Sequence, residues 1–118
     1  MKKIEAIIRK TKFEEVKDAL KEIHIEFFSY WDVRGIGKTQ EARLYRGVAY
    51  DTSSIERTML TIVVRDKNLE KTIKCLMAVA KTGEVGDGKI FVSDLLQSYR
   101  IRTGEQGDSS LFIKGEED

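Results

Sequence analysis

Apolar side chains return at every second position near the start of the chain. Over residues 3–9, Ile4, Ala6 and Ile8 share one side of an extended segment while Glu5, Ile7 and Arg9 share the other, which is the period of a strand. The period then lengthens. Phe13, Val16, Leu20 and Ile23 recur at helical spacing and predict a helix of about three turns, and Thr11-Lys12-Phe13-Glu14 has the form of a capping box that would open it. Residues 26–34 return to alternation, with Phe27, Ser29, Trp31 and Val33 set against Phe28, Tyr30, Asp32 and Arg34. The whole pattern then repeats. Residues 58–64 read as a third strand, Asp66 or Asn68 can cap a second helix, and Leu69, Ile73, Leu76, Met77 and Ala80 form its predicted buried stripe. Lys81-Thr82-Gly83 suits a helix end, and residues 89–95 supply a fourth strand. Two successive βαβ units predict an α+β fold, a ferredoxin-like double βαβ sandwich with four strands on one side and both helices on the other.

Two features do not fit an isolated sandwich. Strands carrying Ile7, Phe28, Tyr30, Leu60, Ile62 and Phe91 place apolar groups on both sides, so the expectation is an oligomer that buries the second face; ordinary two-sided strands are the alternative. Between the two units, residues 35–55 hold Gly35, Gly37, Gly47 and Thr52-Ser53-Ser54 without a sustained period, and a connection of that length is commonly a binding loop. Its Arg43, Leu44, Tyr45, Arg46 and Tyr50 include the arginine and aromatic types enriched at interfaces, although a plain solvated loop would also accommodate them.

Composition narrows the choices. A length of 118 residues, 41% apolar and 35% charged, suits one domain with a solvated surface, and no run approaches the length of a membrane span. Glu5 breaks the apolar character that a signal peptide would need, so the expected location is cytoplasmic. The formal charge of +1 argues against a nucleic-acid partner and for anion sites built locally. Cys75 lies in an apolar stretch and reads as core, His24 reads as a helix-end or surface residue, and together they lack the parts of a conventional zinc site.

The local chemistry gathers in two places. Gly86-Asp87-Gly88-Lys89 can form a tight turn whose amides face an anion, with an ammonium following, and it leads into a strand without the Gly-Lys-Ser/Thr ending of a Walker loop. A purely structural turn is the alternative. Arg100 and Arg102, two apart, would point the same way from extended chain and grip phosphate oxygens; otherwise they are solvated surface arginines.

At this level of detail the chain resembles a known family. Thr82-Gly83-Glu84-Val85-Gly86-Asp87-Gly88-Lys89-Ile90-Phe91, running on to Leu95, resembles the C-terminal signature of the PII nitrogen-regulatory signal-transduction proteins, and residues 100–105 are similar to the family's following motif. The opening residues 2–9 and Leu44-Tyr45-Arg46-Gly47 ahead of Tyr50 fit too, so the resemblance covers residues 1–112. It implies a single domain over 1–112, a protruding loop at about 36–55 and a charged tail at 113–118. It further implies a homotrimer, not an enzyme, that binds ATP or ADP as effectors in clefts between subunits, with magnesium accompanying ATP. By resemblance the phosphate contacts are Gly86, Asp87, Gly88, Lys89, Arg100 and Arg102, with Gly37 and Lys38 at the loop base and Ile7, Ser29 and Val63 near adenine or ribose. The implied partners are an ammonium transporter, which would be the only route to a membrane, or a nitrogen-metabolism enzyme.

Departures from the family pattern bear on a second ligand, 2-oxoglutarate. Gly35-Ile36-Gly37-Lys38-Thr39-Gln40-Glu41 lacks the third glycine of the usual loop base, so Thr39 or Gln40 stands in for the glutamine that helps hold magnesium and 2-oxoglutarate. Arg57 replaces the lysine that meets the distal carboxylate, keeping charge and changing shape. Val48-Ala49 removes an acid beside Tyr50, whose place in the family is a uridylylation site, leaving modification or partner contact as its expected role. No proline follows Arg9, where the family commonly has one. Two other classes remain at this stage, a nucleotide-binding enzyme with weak ATPase activity and an RNA-binding ferredoxin-like domain.

Overall fold

The computed structural model describes residues 1–36, 43–45, 48–50 and 54–111. In chain order the elements are β1 (Lys2–Arg9), α1 (Phe13–Glu22), β2 (Ser29–Ile36), β3 (Arg43–Tyr45), β4 (Val48–Tyr50), β5 (Ser54–Val64), α2 (Asp66–Ala80) and β6 (Gly88–Asp94). Four strands form one sheet in the order β2-β5-β1-β6, with every neighbouring pair antiparallel. β3 and β4 form a separate antiparallel pair in which Arg43 lies opposite Tyr50.

The register explains the core. Ile4 pairs with Ile62 and Ala6 with Leu60, so the alternating apolar sets of β1 and β5 lie side by side on one face of the sheet. Those residues are fully buried, together with Val16 and Leu20 of α1 and Leu76 of α2. Each buried aliphatic side chain contributes about 1.5–3 kcal/mol of transfer free energy. Tyr30, opposite Leu60, also belongs to this helix-bearing side, where its ring lies 4.4 Å from that of Phe13.

The second face carries the complementary set. Trp31, Met59, Ile7 and Lys89 stand in one cross-strand row, and Ser29, Thr61, Glu5 and Phe91 in the next. Trp31 is 45% and Phe91 52% exposed, so this face is mixed in character and leaves large aromatic side chains open in the single chain. Tyr30, Leu60 and Ile62, expected to contribute to two-sidedness, all face the helices, and Trp31, Met59 and Ile7 carry the apolar character of the open side.

Several local expectations change. The capping box at Thr11 does not form: a 3-10 turn at Lys10–Lys12 precedes α1, and the extended residue that begins it is Arg9, so no side chain caps either start. Neither Asp66 nor Asn68 caps α2, because the extended cap residue is Arg65. Asp66 instead pairs with the Met1 ammonium at 2.8 Å, and Asn68 is buried in the first turns. Met77 is 61% exposed, and Thr72, unforeseen as core, is fully buried in its stead. The exchange is tolerable because the Thr72 hydroxyl donates to the Asn68 carbonyl at 2.7 Å, which satisfies it. Cys75 is half-buried and packs against the core, and burial pushes its thiol pKa up.

β2 begins at Ser29 and not at residue 26, leaving Phe27 exposed. The cause lies at the end of α1. His24 adopts a left-handed conformation (φ 66°), its N–H donates to the Lys21 carbonyl, and the Ile25 N–H donates to the Leu20 carbonyl, each at 2.9 Å. This pairing closes the last turn and drives Ile25 into the core beside Leu20, so residues 25–28 serve as a crossing before the strand starts. His24 is therefore the helix-end residue its position suggested. Among the described residues no helix is long and apolar enough to cross a membrane.

Candidate functional site

The glycine turn between α2 and β6 is built from residues that few substitutions could replace. Gly88 has φ +107°, and a Cβ there would stand 1.7 Å from the Ile7 carbonyl oxygen, so β6 can approach β1 only with glycine at this point. Gly86 has φ +98°, and a Cβ would lie 2.9 Å from an Arg57 guanidinium nitrogen and 3.5 Å from one of Arg9. Two guanidinium groups therefore lie against the bare backbone of the turn. Their mutual repulsion, together with burial, lowers the pKa of Arg57, burial being the larger cause.

Asp87 balances this charge. One carboxylate oxygen accepts from Arg9 Nε at 3.0 Å and from the Thr82 hydroxyl, and the other accepts from the Thr82 and Gly83 amides at 2.8 and 2.9 Å. Hydrogen bonding from Thr82, then from Arg9 and Gly83, holds its pKa well below the usual carboxylate range. Arg9 also donates from Nη2 to the Val85 carbonyl at 3.0 Å. Beside the turn, a cavity of about 230 Å³ is lined by Ile7, Leu76, Met77, Lys81, Gly88 and Lys89 among others.

The second arginine cluster lies at the other end of the sheet. Arg100 and Arg102 line a cavity of about 370 Å³ with Ile25, Phe27, Val63, Val64, Asn68 and Leu111. They do not sit on extended chain as expected. The Gly104 N–H donates to the Arg100 carbonyl and the Arg100 N–H to the Glu105 carbonyl, both at 2.7 Å, which folds residues 100–105 into a tight turn. Arg100 is further tied to Glu105 Oε1 at 3.2 Å and to the Ser110 carbonyl at 3.3 Å.

The separation of the two clusters follows from the register. Ile7, beside Lys89, pairs with Met59, whereas Val63, beside Arg102, pairs with Lys3. Ile7 and Lys3 are four residue steps apart on β1, a distance of about 13 Å along the sheet. Lys89 and the two arginines thus lie apart within one chain. Ser29 and Val63 belong to the same open sheet face as Ile7, in different rows. Gly37, Lys38, Thr39 and Gln40 lie outside the described residues, as do the side chains of the β3–β4 pair, including that of Tyr50. Arg9 was missed by sequence reasoning. Its signal was its place at the end of β1, one pair away from Gly88.

Comparison with known proteins gives the family. A family model described as Nitrogen regulatory protein P-II matches residues 1–105. The chain belongs to the P-II family. It is 45% identical over 112 residues to Nitrogen regulatory protein P-II 1 of Methanothermobacter thermautotrophicus, covering 94% of this chain and 97% of that protein. It is 43% identical over 108 residues to the Nitrogen regulatory protein P-II of Bradyrhizobium diazoefficiens, covering 91% and 96% respectively. The four-stranded antiparallel sheet with two helices is consistent with the P-II fold, and membership supports a role in nitrogen-regulatory signalling. The stretch from Thr82 to Glu105 that carries both clusters falls within the family match.

Proposed function

We propose that this P-II protein is a cytoplasmic nucleotide sensor, a closed homotrimer of ferredoxin-like subunits that binds ATP or ADP between subunits and reports the nucleotide through residues 36–55. One observation carries the reading. The glycine turn with Lys89 and the cluster with Arg100 and Arg102 occupy opposite ends of one sheet, so neither alone surrounds a polyphosphate. A cyclic arrangement sets one copy's first end against its neighbour's second end, three times over, and covers the open face bearing Trp31, Met59 and Phe91. The turn would offer amides and the Lys89 ammonium to the phosphates, the neighbour's arginines would close over them, and Ile7 and Val63 would flank the base and sugar. Magnesium would enter with ATP near Gly37 and Lys38.

The guanidinium of Arg57 beside Gly86 supports 2-oxoglutarate, a dicarboxylate, as a co-ligand next to the phosphates, with Thr39 or Gln40 completing that site. The role is binding and not turnover. Asp87, the acid within the turn, already accepts from four donors and is not available as a base. Nucleotide state would favour one arrangement of the loop, and an ammonium transporter or nitrogen-metabolism enzyme would read it, with Tyr50 as a contact or modification point.

Light scattering combined with ADP and ATP calorimetry tests the proposal. A trimer mass with one nucleotide per chain is expected, and 2-oxoglutarate should add heat only when MgATP is present. A monomer that binds nucleotide with full affinity would overturn it. Deleting residues 43–52 should leave mass and ADP binding unchanged while abolishing capture of the partner.

A further inference from the structure

From the donors gathered on Asp87 we infer that its side chain is a positioning brace and not a ligand for nucleotide or magnesium. A carboxylate offers about four acceptor sites. Here four donors fill them: Arg9 Nε, the Thr82 hydroxyl and the amides of Thr82 and Gly83. The donors come from two distant parts of the chain, the exit of α2 and the end of β1. Asp87 lies 78 residues from Arg9, so this contact joins the two tertiary walls of the turn. Thr82 is braced in its own right, since its hydroxyl also accepts from the Glu84 amide at 3.2 Å.

The consequence concerns the neighbouring backbone. With Asp87 turned inward onto Thr82 and Gly83, the residues on either side of it, Gly86 and Gly88, keep left-handed geometry, and Gly86 exposes its backbone to Arg57 and Arg9. The brace also fixes the electrostatics. Asp87 offsets one of the two guanidinium charges at the turn, holds Arg9 in place between the carboxylate and the Val85 carbonyl, and leaves Arg57 as the guanidinium nearest Gly86. Asparagine in its place would keep one acceptor oxygen and turn an amide donor toward Arg9 or Thr82, which are donors themselves.

Asp87→Asn and Thr82→Ala, each made in the full chain, test the inference by two readouts. The first is amide hydrogen exchange without ligand, which does not depend on the nucleotide reading. Asp87→Asn should speed exchange at the Thr82 and Gly83 amides about tenfold or more while β1 and β5 retain their protection. The second is ADP affinity, which rests on the proposed function. Asp87→Asn should weaken ADP about tenfold with or without magnesium, Thr82→Ala about threefold, and the double variant no more than Asp87→Asn alone. Unchanged exchange, unchanged ADP affinity in either variant, additive losses, or a loss confined to magnesium-loaded ATP would each overturn the brace. Failure of the parent protein to bind ADP would instead refute the nucleotide reading, and the exchange arm would still decide the brace.

Discussion

The two ends of the sheet gather their cationic side chains by different means. At the Gly86 end, positive-φ glycines bring backbone against Ile7, Arg9 and Arg57, and a carboxylate draws the turn together over a separation of 78 residues. At the Arg100 end, the stabilising contacts are local, running from Arg100 to Glu105 and to Ser110 within a single terminal segment. The first end is part of the sheet, because Gly88 is itself a paired residue of β6, whereas the second is folded on itself by contacts at Ser98 and tied to the residue after β5 by the Arg65–Asp108 pair at 3.8 Å. An end anchored by sheet register opens only when strands part; an end held by short-range, part-buried hydrogen bonds and an ion pair opens more easily. A ligand held between them would be gripped by one rigid wall and one adjustable one.

The largest effect should come from breaking the rigid wall. Gly88→Ala forces a Cβ to 1.7 Å from the Ile7 carbonyl at a φ that alanine avoids, so β6 must leave β1 or the turn must rebuild. A loss of at least about 3 kcal/mol in unfolding free energy is expected, measured by denaturant titration. A variant that unfolds like the parent would show that the close approach of the strands is not a constraint. The corresponding glycine of the adjustable end, Gly104, has nothing within 4 Å of a Cβ, so Gly104→Ala pays only for its φ of +77° and should cost about 1–2 kcal/mol.

Next in size is the complementation expected if the two ends belong to different copies. Lys89→Ala damages one end and Arg102→Ala the other, and each homotrimer should bind ADP more than about tenfold more weakly than the parent. Trimers reassembled from a mixture contain some clefts with an intact turn facing an intact arginine pair. Tight sites should therefore reappear in the mixture, seen as a high-affinity fraction in calorimetry. Hybrid trimers, verified by mass, that show no such fraction would place both ends of a site in one chain.

A pH titration separates the ends more gently. The folded pKa of Asp87 is depressed, so its contribution to stability is fully present above the ordinary aspartate value near 3.9 and is lost as pH falls below it. Asp87→Asn should flatten that part of the parent's stability profile and leave its slope above pH 5 unchanged. An unaltered acid limb in the variant would mean that the carboxylate is not held by the donors around it.

What was legible in the sequence reflects the range of the interactions. The alternation of Ile4, Ala6 and Ile8 announced the buried side of β1 because a strand's period is a local property, and the same holds for Val16 and Leu20 in α1. Thr72 escaped notice because its burial depends on a hydroxyl returning to the carbonyl one turn earlier, which hydrophobic patterning does not register. Arg100 and Arg102 line one cavity, but their two-residue spacing suggested extended chain where Gly104 and Glu105 close a turn. The Arg9–Asp87 contact had no local signal at all. It arises only once β6 pairs with β1, and the separation of the two clusters follows from that same register.

The smallest effect probes the segment that frames the adjustable end. Ile25 and Phe27 line the cavity with Arg100 and Arg102, and they reach it because His24 turns the chain in left-handed geometry at φ 66°. A side chain with a Cβ is disfavoured there, and glycine relieves that cost while keeping both closing hydrogen bonds, to Lys21 and Leu20, since these are made by backbone groups. Glycine's greater freedom in the unfolded chain offsets part of the gain. His24→Gly should thus raise unfolding free energy by about 0.5–1 kcal/mol, read from the denaturation midpoint at constant slope. ADP affinity should change less than about threefold, because the substitution stabilises the crossing without touching either cluster. If the variant instead loses stability, the left-handed turn is held by the His24 side chain and not by the backbone pairing. If it gains stability and loses ADP, the crossing must move when the adjustable wall closes, and the difference between the two ends extends back to the end of α1.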